Sequence, residues 1–124
     1  MATVVVGYVP KPEGEAALDR AIEESKLRGA QLVLVNSHRD GSGSEPDLTE
    51  ARAKLEAAGV SYEVRQLVRG FEAAEDLISV AESHDADLIV IGLRRRTPVG
   101  KLILGSNAQR VLLDAHCPVM AVKA

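Results

Sequence analysis

Short apolar runs alternate with amphipathic stretches along the whole chain. Residues 3–7, 31–36 and 88–91 are dominated by aliphatic side chains, which is typical of strands that are covered on both faces of a sheet. Residues 60–64 instead alternate between apolar and polar side chains, and this pattern predicts a half-exposed strand at a sheet edge. A further apolar run at residues 118–122 completes a set of five predicted strands.

Four stretches between these strands show the three- and four-residue spacing of an amphipathic helix. The first is predicted to begin at Pro12 and to end at Gly29, and the second covers residues 46–58 and ends at Gly59. The third and fourth present these apolar stripes: Ala74, Leu77, Ile78 and Ala81, then Ala108, Val111, Leu112 and Ala115.

The regular alternation of strands and helices predicts an α/β fold. We expect a Rossmann-like open five-stranded parallel sheet with helices on both faces, because parallel strands need right-handed helical crossovers. The most apolar strands belong in the centre of the sheet, which gives the strand order 3-2-1-4-5. The chain shows no linker and no internal repeat, so residues 1–124 are predicted to form a single domain.

The loops after the first and fourth strands are the places where a binding site is expected. The predicted order puts these two strands side by side, and the direction of winding reverses between them. Open α/β sheets bind ligands outside the carboxyl ends of the strands at such a switch point. The first loop follows Val9, and the second follows Ile91 near Gly92, where the fourth strand is predicted to end.

The segment 92–106 has the composition of an anion-binding loop. It contains three glycines, three consecutive arginines and a lysine, and it leads into the last helix at Gly105 and Ser106. Free N–H groups and the helix dipole attract anions to such a start, and arginines pair with phosphate oxygens. A purely structural interpretation stays open: Ser106 forms a capping box with Gln109, the glycines form turns, and the arginines face solvent.

Charge and composition exclude several classes of function. A formal net charge of −3 and an isoelectric point near 5.6 argue against a protein that grips DNA or RNA through its phosphates. No apolar run approaches the roughly 20 residues of a membrane-spanning helix, and the first residues do not resemble a signal peptide. The lone Cys117 fits a reducing compartment. We therefore expect a cytoplasmic protein that binds neither nucleic acid nor membranes.

Familiar catalytic and metal-binding motifs are not matched. Residues 95–102 depart from the P-loop pattern at both its first glycine and its final hydroxyl position. The three histidines show no metal-ligand spacing with Cys117. No nucleophile with a neighbouring base can be named. The sequence therefore nominates no catalytic residue and no metal ligand, and we expect a protein that is not an enzyme.

Three segments make the chain recognisable. They are residues 87–92 (DLIVIG), 104–112 (LGSNAQRVL) and 117–122 (CPVMAV). With their flanking strands and helices they resemble the universal stress protein family over nearly the whole length of the chain. Members of that family that bind ATP carry a glycine, two residues, a second glycine, nine residues, and then Gly-Ser or Gly-Thr.

The ATP-binding motif of that family is matched at its two ends. Gly92 corresponds to the first glycine, and Gly105 with Ser106 corresponds to the final pair at the required spacing. Arg95 stands where the second glycine is usual, and Val9 stands where nucleotide-binding members usually carry an Asp that contacts the nucleotide. Loss of a buried hydrogen-bond partner typically costs about 1–3 kcal/mol, so Val9 is expected to weaken recognition.

The resemblance implies a stress-response regulator that binds ATP or another adenine nucleotide without dedicated catalysis; weak ATP hydrolysis stays open. It implies that the backbone at Gly92 and Gly105 closely approaches the ligand and that Val9 and Ser37 line the base or ribose. It also implies that Arg94 and Arg95 add positive charge and that Ser106, Asn107 and Ala108, in the last helix, bind the phosphates.

The last predicted strand, from Pro118 to Val122, is apolar although the strand order places it at a sheet edge. An uncovered apolar edge favours pairing with another strand, and twofold dimers are the commonest oligomers, so we expect a homodimer through this strand. The family resemblance implies the same. The alternative to nucleotide binding is a nucleotide-free homodimeric protein-interaction module of the same fold. The sequence does not identify the partner protein.

Overall fold

A computed structural model describes residues 2–38, 48–68, 73–93 and 105–124. Within these ranges, five strands and four helices alternate along the chain. In chain order they are β1 (Thr3–Gly7), α1 (Pro12–Arg28), β2 (Gln31–His38), α2 (Thr49–Ala58), β3 (Tyr62–Val68), α3 (Ala73–Ser83), β4 (Leu88–Leu93), α4 (Ser106–Asp114) and β5 (Val119–Lys123).

The five strands form one parallel sheet in the predicted order, β3-β2-β1-β4-β5. The central strand β1 pairs with β2, where Val5 lies opposite Val33, and with β4, where Val5 lies opposite Ile89. The edge strands are β3 and β5, as the sequence predicts. The Rossmann-like α/β class is therefore confirmed, together with the reversal of winding between β1 and β4.

Successive side chains of the sheet pack against two different layers of helices. Val4 is fully buried with Leu18 of α1 and Leu55 of α2. Val5 is fully buried on the opposite face, with Leu77 of α3 and Val111 of α4. Because the core on both faces is built almost entirely from Val, Leu, Ile and Ala, the continuous aliphatic pattern of the central strands is explained.

Glycines end the first two helices as predicted. Gly29 follows α1 with a φ of 61°, and Gly59 follows α2 with a φ of 73°, a left-handed conformation that other residues rarely adopt. The start of α2 differs from the prediction. Residues 46 and 47 lie outside the described ranges, and Leu48 is already non-helical, so the described helix begins at Thr49.

The fourth strand is longer than the sequence predicts. The expectation that β4 ends at Gly92 is wrong, because the strand continues to Leu93. Gly92 lies opposite Val122, and Leu93 lies opposite Lys123. The edge strand β5 continues at this point and offers a partner to the β4 backbone, which outweighs the weak strand propensity of the glycine.

The last helix begins differently from the prediction. Gly105 is the N-cap residue, its backbone is extended, and its carbonyl accepts the N–H of Gln109 at 3.1 Å. Ser106 is the first helical residue rather than the N-cap, and the N-cap Gly105 has no side chain that could cap the helix. The expectation that Ser106 is the cap is therefore wrong.

The predicted buried stripe of α4 is only partly buried. Val111 is 2% exposed, but Leu112 is 40% exposed and Leu113 is 81% exposed. Ala108 and Ala115 are half-buried. A helix of nine residues that rests mainly against α3 buries a single row of side chains, so the wider stripe that the spacing predicts does not form.

A buried tyrosine joins β1 to the two helices that cover it. The Tyr8 hydroxyl donates to Glu15 Oε2 at 2.5 Å, and Lys54 Nζ donates to Glu15 Oε1 at 3.0 Å and to Asp19 Oδ1 at 2.9 Å. Burial alone would raise the pKa of Glu15, but the hydrogen bonds from Tyr8 and Lys54 outweigh it and lower this pKa. Burial and the hydrogen bond to Glu15 raise the pKa of Tyr8.

Replacing Glu15 by glutamine is expected to make the protein less sensitive to acid. The folded pKa of Glu15 lies below its unfolded value, so its ionised form stabilises the fold at neutral pH. This stabilisation is lost as the pH falls from about 4.3 through the folded pKa. Between about pH 7 and about pH 3, we expect the free energy of unfolding to fall by about 0.5–1 kcal/mol more in the wild type than in Glu15→Gln, a value that includes screening by solvent. Urea titrations measure this difference.

Glu23→Gln is the control for this prediction, because Glu23 is an exposed acid of the same helix that pairs with Arg20 across one turn. It should leave the acid sensitivity of the wild type unchanged. An equal loss of stability in the wild type and in Glu15→Gln would contradict the assignment.

Candidate functional site

A cavity of about 470 Å³ opens at the carboxyl end of the sheet, where β1 and β4 lie side by side. Its walls are the ends of β1, β2 and β4 and the beginnings of α1, α3 and α4. Small-molecule sites usually have volumes of about 300–1,000 Å³. The cavity lies at the switch point at which the strand order predicts a ligand site.

Branched apolar side chains form the floor of the cavity. Val35 in β2 and Ile91 in β4 meet Leu77 of α3 and Val111 of α4 there. All four side chains are buried and belong to the core on the α3 and α4 face of the sheet. This floor can cover an apolar ring face without leaving a polar group of the protein unpaired.

The first turn of α4 supplies hydrogen-bond donors to the cavity. The backbone from Gly105 to Ala108 lines it, together with the exposed Ser106. The first N–H groups of a helix have no acceptor within the helix, and the helix dipole adds partial positive charge at this end. The arrangement is suited to a phosphate or a carboxylate.

Two contacts fix the first turn of α4 against α3. The Asn107 side chain accepts the N–H of Ala74 through Oδ1 at 3.4 Å. Arg110 Nη2 lies 2.8 Å from Glu75 Oε1. Because the first contact joins the starts of the two helices and the second ties the middle of α4 to the first turn of α3, the donors of α4 keep a defined position relative to the apolar floor.

Two glycines let α1 lie directly on the ends of the strands. A Cβ atom at Gly14 would lie 1.8 Å from the Val9 carbonyl oxygen, and one at Gly92 would lie 1.9 Å from the Glu13 carbonyl oxygen. No side chain of any size fits at either position without moving the backbone. The approach of α1 therefore explains the small size of Gly92, and the close approach of a ligand there, which the family resemblance implies, stays a prediction.

Among the described residues, no atom packs closely enough against Gly105 to require a glycine there. Its φ of −67° and ψ of 164° are open to every residue, and no described atom lies within 4 Å of the position of an added Cβ. The open space beside Gly105 is part of the cavity.

Hydrogen bonds to β2 fix the turn between β1 and α1. Asn36 is 1% exposed and donates from Nδ2 to the Tyr8 carbonyl at 2.9 Å, and the Tyr8 N–H donates to the Val35 carbonyl at 2.9 Å. The Lys11 N–H then donates to the Val9 carbonyl at 2.8 Å, which tightens the turn. These bonds hold Val9 at the rim of the cavity, with its side chain 36% exposed.

Most of the residues that the sequence nominated for the site lie together. Val9, Gly92 and the four residues from Gly105 to Ala108 all line the cavity. The backbone of Ser37 continues β2 two residues beyond the cavity-lining Val35. Arg94 and Arg95 lie outside the described residues.

Sequence reasoning missed two charged residues of the cavity, Lys11 and Glu13. Both come from the start of α1, which the sequence analysis treated only as a helix boundary. A signal was present, because Lys11 and Glu13 directly follow the first strand, whose carboxyl end was expected to border the site.

The described residues hold no group of three or more His, Cys, Asp or Glu side chains that could bind a metal ion. Among the helices in the described part of the chain, none combines the length and the apolar character needed to cross a membrane.

An open parallel sheet with a cavity at its switch point and helix starts around that cavity defines the class of α/β proteins that bind small ligands at the strand ends. Comparison with known proteins identifies the family. The model of the universal stress protein family matches residues 1–123, and the chain belongs to this family.

Individual members of the family are similar over their whole length. A universal stress protein of Mycolicibacterium smegmatis is 43% identical over 126 residues, covering 97% of this chain and 96% of the relative. The universal stress protein of Archaeoglobus fulgidus, solved in complex with dAMP, is 32% identical with a TM-score of 0.71 and covers 99% of this chain and 98% of that one. A universal stress protein solved in complex with cAMP is 27% identical with a TM-score of 0.77 and covers 98% and 96%.

Proposed function

We propose that this protein is a cytoplasmic stress-response regulator whose single domain, residues 1–124, binds an adenine nucleotide, foremost ATP, without a dedicated catalytic step. The nucleotide occupies the cavity at the ends of β1 and β4. Its base and ribose lie between Val9, Ser37 and the apolar floor. Its phosphates meet the first turn of α4, with added charge from Arg94 and Arg95.

The observation that carries this proposal is the pairing of two unlike surfaces in one cavity. The floor around Val35, Leu77 and Ile91 is apolar, whereas the start of α4 offers N–H donors that have no acceptor within the helix, and the positive end of the helix dipole. A nucleotide has the same two parts, an aromatic base and an anionic phosphate. The relatives solved with dAMP and with cAMP bind ligands of this chemistry.

Replacing Ser106 by aspartate is expected to weaken ATP binding at least about tenfold while leaving the fold as stable or slightly more so. A carboxylate at the first position of α4 repels a phosphate from the donors there, although it interacts favourably with the helix dipole by about 0.3–1 kcal/mol. Calorimetric titration with ATP and with AMP gives the affinities, and urea unfolding gives the stability.

Thr49→Asp is the matched control, since Thr49 occupies the first position of α2 and is not among the residues that line the cavity. It should change stability in the same direction and leave nucleotide affinity unchanged. Unchanged ATP affinity in Ser106→Asp would show that the phosphates do not lie at α4.

The second candidate function is a nucleotide-free homodimeric interaction module of the same fold. The apolar Val9 favours it, because this residue offers no side-chain acceptor to a nucleotide at the end of β1. Mass spectrometry of the protein after denaturation distinguishes the two functions. A released adenine nucleotide supports the first, and an empty protein that also fails to bind ATP or AMP in calorimetry supports the second.

Both functions are compatible with a homodimer through Pro118 to Val122. Among the described residues, β5 pairs on one side only, with β4. Its other edge is therefore open to the same strand of a second copy, which a twofold axis would bring alongside in antiparallel direction.

A further inference from the structure

The strand order decides which part of a nucleotide would pass the end of β1. In the sheet, β1 lies between β2 and β4. The donors for a phosphate belong to α4, which follows β4 along the chain, whereas Val35 in β2 belongs to the part of the apolar floor beyond β1. A nucleotide that reaches from α4 to Val35 therefore crosses the end of β1, and its middle part, the sugar, lies there.

The backbone at the end of β1 is already engaged within the protein. The Tyr8 N–H donates to a β2 carbonyl, and the Tyr8 carbonyl accepts from the Asn36 side chain, both at 2.9 Å. The Val9 carbonyl accepts the Lys11 N–H at 2.8 Å. The Val9 backbone also lies against α1, because a Cβ atom at Gly14 would be 2.7 Å from its nitrogen and 1.8 Å from its oxygen. What Val9 offers to a ligand is therefore its side chain.

The Val9 side chain makes this wall of the cavity apolar. Val9 lines the cavity and is 36% exposed, and its isopropyl group neither donates nor accepts hydrogen bonds. A sugar hydroxyl that faces it gives up water without a new partner in return, which costs free energy. The acid at the nearby start of α1, Glu13, already has an interaction partner within the protein. The wall is therefore suited to the carbon atoms of a sugar rather than to its hydroxyl groups.

We infer that Val9 is a specificity-determining residue that gives the site an apolar sugar wall, so that deoxyribonucleotides bind at least as tightly as ribonucleotides. This inference rests on the proposed nucleotide binding and adds the part of the ligand that the end of β1 contacts. Removing both ring hydroxyls from AMP should raise its Kd by less than about threefold, or lower it. A site with a carboxylate bonded to one hydroxyl would lose about tenfold or more.

The test is a calorimetric comparison of AMP, 2′-deoxy-AMP and 2′,3′-dideoxy-AMP on the wild type and on Val9→Asp. The wild type should bind the three nucleotides with Kd values within about threefold, or favour the deoxy forms. The aspartate supplies an acceptor at the sugar wall, so Val9→Asp should favour AMP over the dideoxy form about tenfold. The ratio is the measure, because repulsion between the new carboxylate and the phosphate affects both ligands alike. Val9→Leu keeps the wall apolar and should keep the wild-type ratio.

Three results would overturn the inference. They are a wild type that favours AMP over the dideoxy form by more than about threefold, a Val9→Asp variant that keeps the wild-type ratio, and a Val9→Leu variant that gains a preference for AMP. If the aspartate variant does not fold, Val9→Asn supplies an amide oxygen and carries the same test, and the wild-type comparison needs no variant. A wild type that binds none of the three nucleotides refutes the proposed function itself, whereas a preference for AMP refutes only the role of Val9.

Discussion

Replacing Gly92 by alanine is expected to lower the free energy of unfolding by about 3 kcal/mol or more. The added methyl group would lie 1.9 Å from the Glu13 carbonyl oxygen and 2.5 Å from the carbonyl carbon. These are backbone atoms of α1, so no side-chain rotation relieves the overlap. Either α1 moves away from β4 or the end of β4 leaves the sheet, and both changes expose core. Urea unfolding followed by circular dichroism measures the loss.

Gly105→Ala is the matched control for this prediction. The backbone at Gly105 is open to alanine, and no described atom lies within 4 Å of the added methyl group. Its stability should stay within about 0.5 kcal/mol of the wild type or rise slightly, because alanine reduces the freedom of the unfolded chain. An equal loss of stability in Gly92→Ala and Gly105→Ala would mean that the contact between α1 and β4 does not explain why residue 92 is glycine.

Replacing Ala121 by proline is expected to convert a dimer into a monomer. The Ile89 N–H donates to the Pro118 carbonyl at 3.0 Å, and the Ala124 N–H donates to the Leu93 carbonyl at 3.4 Å. Since alternate residues of a strand bond to the same neighbour, Ala121 directs its N–H away from β4, toward the open edge. Proline removes that donor and places its ring where a second copy of β5 would pair, without breaking a bond to β4.

Sedimentation equilibrium at micromolar concentration measures this change as a halving of the mass to that of a single 13.2 kDa chain. Ala121→Ser keeps the N–H and should remain dimeric. A charge at Met120 is a less suitable test, because Met120 packs against the core beneath α1 and its replacement would disturb the monomer. A monomeric wild type contradicts the proposed dimer, and a proline variant that stays dimeric places the interface elsewhere.

The fold could be predicted because its main determinants are local. The central strands β1, β2 and β4 each contain a continuous aliphatic run, and Gly29 and Gly59 end their helices in a left-handed backbone conformation that glycine adopts readily. The wrong predictions concern features that depend on packing against residues far away in the sequence. β4 continues through Gly92 because β5 extends alongside it, and Leu112 is exposed because α4 is short and rests mainly on α3.

The candidate site was predictable in its position but not in its chemistry. Strand order alone placed Val9 and Gly105 at the same end of the sheet, and both line the cavity. The presence of Glu13 there depends on how closely α1 approaches β4, which is set by Gly14 and Gly92 through contacts with backbone oxygens. Hydrophobic periodicity describes which face of a helix is buried, but it contains no information about how near the helix start lies to a strand end.

The position of Tyr8 gives the protein an optical reporter of its own. The chain has no tryptophan and two tyrosines, so its ultraviolet fluorescence comes from Tyr8 and Tyr62. The hydroxyl of Tyr8 donates a hydrogen bond to the Glu15 carboxylate, and Tyr8 also borders the cavity. Tyr62 lies on the far edge strand β3. In a Tyr62→Phe background, the remaining emission would follow events at the end of β1 without any attached dye.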